Sequence, residues 1–375
     1  AMKELYCVGL ILITIMTYGQ KLFITKSVTE NATVSSYFSG INTTDGSIIN
    51  NTQINTNASV TVTPVGAIYD SQSNTIYAFK GNRIFKYNAD NFSEATSFGG
   101  AVNSLDPYEQ IVFINNRLFA MKSDNTGSMN YQITLYELDK NDGSILDTHT
   151  WTVWCDTNGW GITFSAATHE IFIVLGDNLS KYNIVTQELN VFNLPGMDLN
   201  THYPGIVFAQ NRLFVRKKDF LNGQSNNYTV EINKDTGAVI ASHSLNPLIG
   251  NNYYPASQIV FLAQTKEIAC LYYGHPALAN ENIIAKYNID TQTDTVLNLP
   301  SEIVTTTIAE NYSSMVSVDS EDRLGVNEFQ KNQENLKIKS VYNMLGQQVP
   351  LETYNQILII EFENGQTGKR MYYKN

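Results

Sequence analysis

Ile111-Val112-Phe113 is followed across a polar turn by Asn116-Arg117-Leu118-Phe119, and Ile206-Val207-Phe208 is followed in the same way by Asn211-Arg212-Leu213-Phe214. Further copies of the first strand are Ala67-Ile68-Tyr69, Ile162-Thr163-Phe164 and Ile259-Val260-Phe261. Their aromatic positions 69, 113, 164, 208 and 261 are 44, 51, 44 and 53 residues apart. A weaker sixth copy is Val316-Ser317-Val318-Asp319-Ser320. Self-similarity at such a period marks a repeat architecture.

Each copy leads into a second strand, then a third and fourth joined by a turn. Leu135 to Leu146 crosses Asn141-Asp142-Gly143, and Val230 to Ile240 crosses Asp235-Thr236-Gly237. Lys181-Tyr182-Asn183 and Lys286-Tyr287-Asn288 hold the matching third-strand position. Four strands per unit, alternating apolar residues and no helical stretch predict the blades of a β-propeller.

The N-terminal part supplies Lys21-Leu22-Phe23-Ile24 as a second strand, and Val34 to Ile48, turning at Thr44-Asp45-Gly46, as a third and fourth. They lack a first strand, whereas the copy near Val318 has little after it. A ring closed by strands from both ends explains both facts and removes exposed sheet edges. The expectation is an all-β protein: a propeller over 20–330 of about six four-stranded blades, with five or seven as alternatives, and a small C-terminal β appendage over 331–375. Blades start near 65, 109, 160, 204, 257 and 314, and residues 21–57 complete the ring.

Composition agrees. There are 42 Asn against 24 Lys plus Arg, which fits a chain full of tight turns. Net charge is −11. Residues 21–330 carry 17 basic and 30 acidic side chains, and residues 331–375 carry 6 basic and 4 acidic. An acidic body argues against a nucleic-acid partner, since phosphate contacts need clustered Lys and Arg. Cys7 lies near the start; Cys155 and Cys270 read as small buried side chains with no metal or disulfide spacing.

Met2-Lys3-Glu4, an apolar run from Leu5 to Met16, and a small residue at Gly19 read as a secretory signal peptide over 1–19. Near the other end stands Lys339-Ser340-Val341-Tyr342-Asn343-Met344-Leu345-Gly346-Gln347-Gln348-Val349, then Ile357 to Phe362, Asn364-Gly365 and Lys369-Arg370-Met371. From about 324 to 375 this resembles, in shortened form, the type A sorting domain of the type IX secretion system. Tyr342, Asn343, Leu345, Gly346, Gln347 and Gly365 carry the likeness. The resemblance implies export across the outer membrane of a Bacteroidetes-type bacterium to the cell surface or medium, with the secretion machinery as partner. Read without it, the segment is two or three alternating strands with a hairpin turn.

No phosphate loop, nucleophile elbow or metal-protease motif occurs. The five His (149, 169, 202, 243, 275) read as lying in different places within their repeats. Asp139-Lys140-Asn141-Asp142-Gly143 superficially resembles a calcium loop without its full ligand set, and hairpin chemistry accounts for it. No cofactor is expected, calcium being the one left open, and no metal ligands are assigned.

An aromatic residue precedes most first strands: Tyr108, Trp160, Tyr203, Tyr254 and Tyr312. On a propeller these would ring the mouth of the central channel. Asp106, Asp156, His202 and Asn252 lie nearby, and Trp154 adds apolar surface. Rings edged by Asn and Asp suit a sugar or a peptide; packing between blades is the competing role. The expected function is a monomeric, exported binding module for an extracellular glycan or peptide. The alternatives are an enzyme on the propeller scaffold (lyase, lactonase or hydrolase), with Asp106, Glu109, Asp156 and His202 as first acid–base candidates, or a structural surface protein.

Overall fold

The computed structural model describes residues 21–371 except 31–32, 58–66, 71–72, 81–82, 92–93, 100–108, 128, 156–159, 196–200, 222–223, 246–248, 250–252, 275–281, 300–307, 319–337, 344–346, 350–356 and 363–366. Two compact units are present: Gln20–Asp70 with Asn74–Val318, and a smaller one that contains Asp319–Asn375.

In the larger unit the chain begins with β1 (Lys21–Glu30), β2 (Thr33–Ile41) and β3 (Ile48–Asn57). Blade 1 is β4 (Ala67–Asp70), β5 (Thr75–Lys80), β6 (Arg83–Asn88) and β7 (Glu94–Gly99). Blade 2 is β8 (Gln110–Ile114), β9 (Arg117–Gly127), β10 (Asn130–Leu138) and β11 (Ile145–Trp154). Blade 3 is β12 (Trp160–Ser165), β13 (Glu170–Leu175), β14 (Asn178–Asn183) and β15 (Leu189–Asn193). Blade 4 is β16 (Thr201–Ala209), β17 (Arg212–Leu221), β18 (Gln224–Ile232) and β19 (Val239–Ser244). Blade 5 is β20 (Tyr253–Leu262), β21 (Glu267–Gly274), β22 (Asn282–Asn288) and β23 (Asp294–Asn298). Then β24 (Ile308–Val318) pairs antiparallel with β1, so blade 6 has the order β24-β1-β2-β3 and joins the two ends of the propeller. The inner strands β4, β8, β12, β16, β20 and β24 neighbour one another in turn around the ring. This is a six-bladed β-propeller.

Each blade-to-blade seam holds its own apolar cluster. Strand periodicity explains the sequence of β13. Ile171, Ile173 and Leu175 face the seam with blade 2, while Phe172 and Val174 face the seam with blade 4. A strand buried on both faces therefore reads as an unbroken apolar run. Burial of each such side chain contributes about 1.5–3 kcal/mol. Cys155 and Cys270 are buried, in keeping with the sequence reading.

Turn chemistry follows the residues. Asn115 and Asn116 (φ 51° and 64°) and Gln210 and Asn211 (φ 49° and 61°) make two-residue hairpins of the left-handed kind between β8 and β9 and between β16 and β17. In the loop resembling a calcium site, Asp139 Oδ1 accepts from Asn141 N at 2.7 Å and Asp142 Oδ1 accepts from Ser144 N at 2.9 Å. Both carboxylates thus serve the turn.

Blades 1 to 5 alternate between two kinds, and the contact made by the odd blades recurs three times. Odd blades send a third-strand lysine to the next blade's turn: Lys86 Nζ to Asn141 O (3.3 Å), Lys181 Nζ to Asp235 Oδ1 (2.7 Å) and Lys286 Nζ to Thr43 O (2.9 Å). Even blades 2 and 4 reach forward to the next blade through an arginine. Arg117 pairs with Glu137 and donates to Ile184 O at 3.4 Å; Arg212 pairs with Glu231 and donates to Ile289 O at 3.1 Å. His149 and His243, read from sequence as unrelated, occupy the same place in β11 and β19. They lie 4.9 Å from the Tyr182 ring and 4.8 Å from the Tyr287 ring. Spacings of 44 residues alternate with spacings of 51 and 53 because the second and third strands of blades 2 and 4 are longer than those of blades 1 and 3.

The smaller unit holds a three-stranded antiparallel sheet of β25 (Ile338–Asn343), β26 (Ile357–Phe362) and β27 (Thr367–Met371). Val349 N donates to Val341 O at 2.9 Å, and Val341 is buried.

Candidate functional site on the mouth-side face

The ends of a blade follow from antiparallel pairing. Inner strands begin, second strands end and outer strands end at one face, here called the mouth side. On it Trp160 opens β12 opposite Leu175, His202 and Tyr203 lie in β16, Tyr254 lies in β20 opposite Tyr273, and Tyr312 lies in β24 opposite Lys26. The inner strands thus run through these aromatic positions, which sequence reading put in the preceding loops. Tyr108, Asp106, Asp156 and Asn252 fall outside the described residues, as do Leu345, Gly346 and Gly365 of the C-terminal segment. In that segment Tyr342 is half-buried in β25 and bridges to Gln348, Asn343 ends β25, and Gln347 is exposed.

Tyr203 is 1% exposed and its hydroxyl donates to Pro195 O at 2.5 Å. It belongs to the seam cluster of blades 3 and 4. Its ring does the packing work that competed with a ligand role. Burial raises its hydroxyl pKa, with the Asp219 and Asp177 charges adding to the effect.

Trp154 is the opposite case. It ends β11, is 53% exposed, and its carbonyl accepts from Asn178 Nδ2 at 2.5 Å. Cys155 N donates to the carbonyl of Met129, itself 47% exposed. Trp154 and Met129 therefore stand together at the mouth-side end of blade 2, on backbone fixed from two sides. Asn178 Nδ2 also reaches Asp177 Oδ1 at 2.9 Å. The result is an exposed aromatic platform carried on the buried Asn178 and Asp177.

Three charged features share this face. Glu109, just before β8, accepts from Ser123 Oγ at 2.9 and 2.8 Å. Burial pushes its carboxyl pKa up to about 7, against the Ser123 hydrogen bond. Lys218 is buried in β17, and burial pushes its ammonium down to about 8. Lys122–Asp124 (2.7 Å) and Lys217–Asp219 (3.0 Å) are matching ion pairs in β9 and β17. Groups moved toward neutral pH by burial are functional-site candidates. Ser123 and Lys218 escaped the sequence reading; aligning Lys122-Ser123-Asp124 with Lys217-Lys218-Asp219 would have found them. Among the described residues no group of three or more His, Cys, Asp or Glu could hold a metal ion, and no helix is long and apolar enough to cross a membrane.

No family model matches this chain, and no curated protein does. Among solved structures it is similar to Kuenenia stuttgartiensis hydrazine synthase, at 12% identity and TM-score 0.44, over 63% of this chain and 66% of that one. The chain thus spans slightly less than two thirds of that protein. It is also similar to apo AztD from Citrobacter koseri, at 10% identity and TM-score 0.38, over 80% and 98% of the two chains. A protein of unknown function from Desulfotomaculum acetoxidans matches at 11% identity and TM-score 0.42, over 94% and 100%. At such identities nothing about ligand or activity transfers.

Proposed function

We propose that the propeller is a binding module whose ligand surface is the mouth-side face of blades 2 to 4, with a glycan as ligand. The observation that carries this is Trp154, half-exposed on backbone pinned by Asn178 and beside Met129. An exposed indole stacks on the C–H face of a sugar ring. A glycan-array screen of the full chain, with and without calcium, tests it. Specific binding to one sugar class that Trp154→Ala abolishes is the expected result. Binding untouched by that change would remove the platform, and a blank array would turn the search to peptides.

Glu109 favours a second reading. A half-buried carboxyl titrating near neutrality has the property of a general acid or base, and would serve a lyase or hydrolase. Turnover of a sugar or lactone that is lost in Glu109→Gln would support it.

The same proposal places the protein outside the cell, delivered by a type IX-like route. Its support is the Tyr342-Asn343-Met344-Leu345-Gly346-Gln347 run and the leader-like residues 1–19. Deleting residues 335–375 should leave the protein in the periplasm; unchanged export would end this part of the reading.

A further inference from the structure

Two of the three even-to-odd seams, between blades 2 and 3 and between blades 4 and 5, give an internal comparison. Between blades 2 and 3, Met121, Leu135, Ile173, Leu175 and Leu189 form or pack against one apolar cluster. Strand register places Arg216, Thr229, Cys270, Tyr272 and Asp294 at the same five positions between blades 4 and 5: Leu135 pairs with Met121 as Thr229 pairs with Arg216, and Tyr182 with Leu189 as Tyr287 with Asp294. An apolar seam is thus rebuilt with polar groups in a slot where apolar ones demonstrably pack.

Stability does not explain the change, because well-packed apolar residues usually match or exceed buried polar ones in such a slot. Arg216 is 2% exposed and Tyr272 0% exposed. Arg216 Nη1 donates to Thr229 Oγ1 at 2.6 Å, and its guanidinium lies 4.6 Å from the Tyr272 ring centre. Arg216 Nε and Nη2 have no partner, nor do the Tyr272 hydroxyl and Asp294 Oδ1. Asp294 Oδ2 is bonded to His243 Nε2 at 2.6 Å. Burial lowers the guanidinium pKa, with Cys270 and Asp294 opposing. A buried guanidinium with two of its three nitrogens unsatisfied is costly. Its free Nε–Nη2 edge is the one that takes two oxygens of a planar oxyanion side by side.

A cleft of about 60 Å³ opens at this seam, lined by Arg212, Glu231, Ser242, Tyr287, Thr229 and His243; Arg216 and Asp294 lie one residue deeper, bonded to Thr229 and His243. That volume admits a few heavy atoms and no sugar.

We propose that the seam between blades 4 and 5 is a binding site for a small oxyanion of the carboxylate class, held by the Nε–Nη2 edge of Arg216 and the Tyr272 hydroxyl. Asp294 Oδ1 accepts a hydrogen bond from a bridging water. This site is separate from the mouth-side surface and stands without it.

The test uses the full chain, with formate, acetate and nitrate as probes at constant ionic strength, citrate as the oversized control, and calorimetric titration as readout. Formate or nitrate should bind saturably, and citrate should not. Arg216→Met copies Met121 of the apolar seam, so it should fold and lose binding altogether. Tyr272→Phe should weaken binding several-fold. Equal binding by wild type and Arg216→Met, or none by the wild type, would overturn the proposal. If Arg216→Met does not fold, undiminished affinity in Tyr272→Phe overturns it by itself.

Discussion

Lys286 in blade 5 donates to the backbone carbonyl of Thr43 in blade 6 at 2.9 Å, across 243 residues of sequence. It also pairs with Glu267 at 3.1 Å, and both side chains are largely buried. One lysine thus ties the seam at which the early strands of the chain meet its late ones. Lys86 makes the equivalent contact between blades 1 and 2, neighbours in sequence.

Lys286→Met should therefore destabilise the propeller by about 1–3 kcal/mol, because it leaves Glu267 buried without its partner. Lys86→Met, whose contact is exposed, should change stability by no more than about 0.5 kcal/mol. Urea unfolding of both variants checks the difference.

Gly46 has φ +79°, and a Cβ there would lie 2.6 Å from Asn298 O of blade 5. Gly127 has φ +104° with nothing within 4 Å. Both substitutions to Ala carry the strain of a left-handed backbone, but only Gly46→Ala also pushes blade 6 off blade 5. Gly46→Ala should cost at least about 1 kcal/mol more than Gly127→Ala, read from paired thermal melts.

Glu109 supplies a pH dependence. Its folded pKa of about 7 lies above the ordinary 4.5, so between these values the folded state binds more protons than the unfolded one. Its contribution to stability is full below pH 4.5, falls as pH rises, and is lost above pH 7. Glu109→Gln should flatten that part of the stability–pH curve, between pH 4.5 and about 7. Ser123→Ala removes a hydrogen bond that holds the pKa down, so it should move the transition to higher pH.

Tyr203 and Trp154 should separate packing from binding. Tyr203→Ala should cost about 3–5 kcal/mol, since a buried ring is replaced by a cavity. Trp154→Ala should leave the unfolding midpoint nearly unchanged while removing glycan binding. A large loss of stability in Trp154→Ala would show that the indole holds the blade rather than a ligand.

The sequence by itself determined the strand period, the four strands per blade and the ring joined from both ends. These are local matters: alternating apolar residues make strands, Asn and Gly at fixed offsets make turns, and an unpaired second strand asks for a missing first one. Packing decided the rest. Gly143 and Gly237 look like ordinary turn glycines until Gly237 is seen pressed against Phe192 and Asn193. Tyr203 and Trp154 look alike as aromatics near the ends of inner and outer strands, yet one is buried in a seam and the other lies open. The pairing of blades and the equivalence of His149 with His243 depend on which neighbour each strand face meets. So does the substitution of Arg216, Thr229, Cys270, Tyr272 and Asp294 into an otherwise apolar seam. A one-dimensional pattern records which residues alternate; only the closed ring assigns each face its partner.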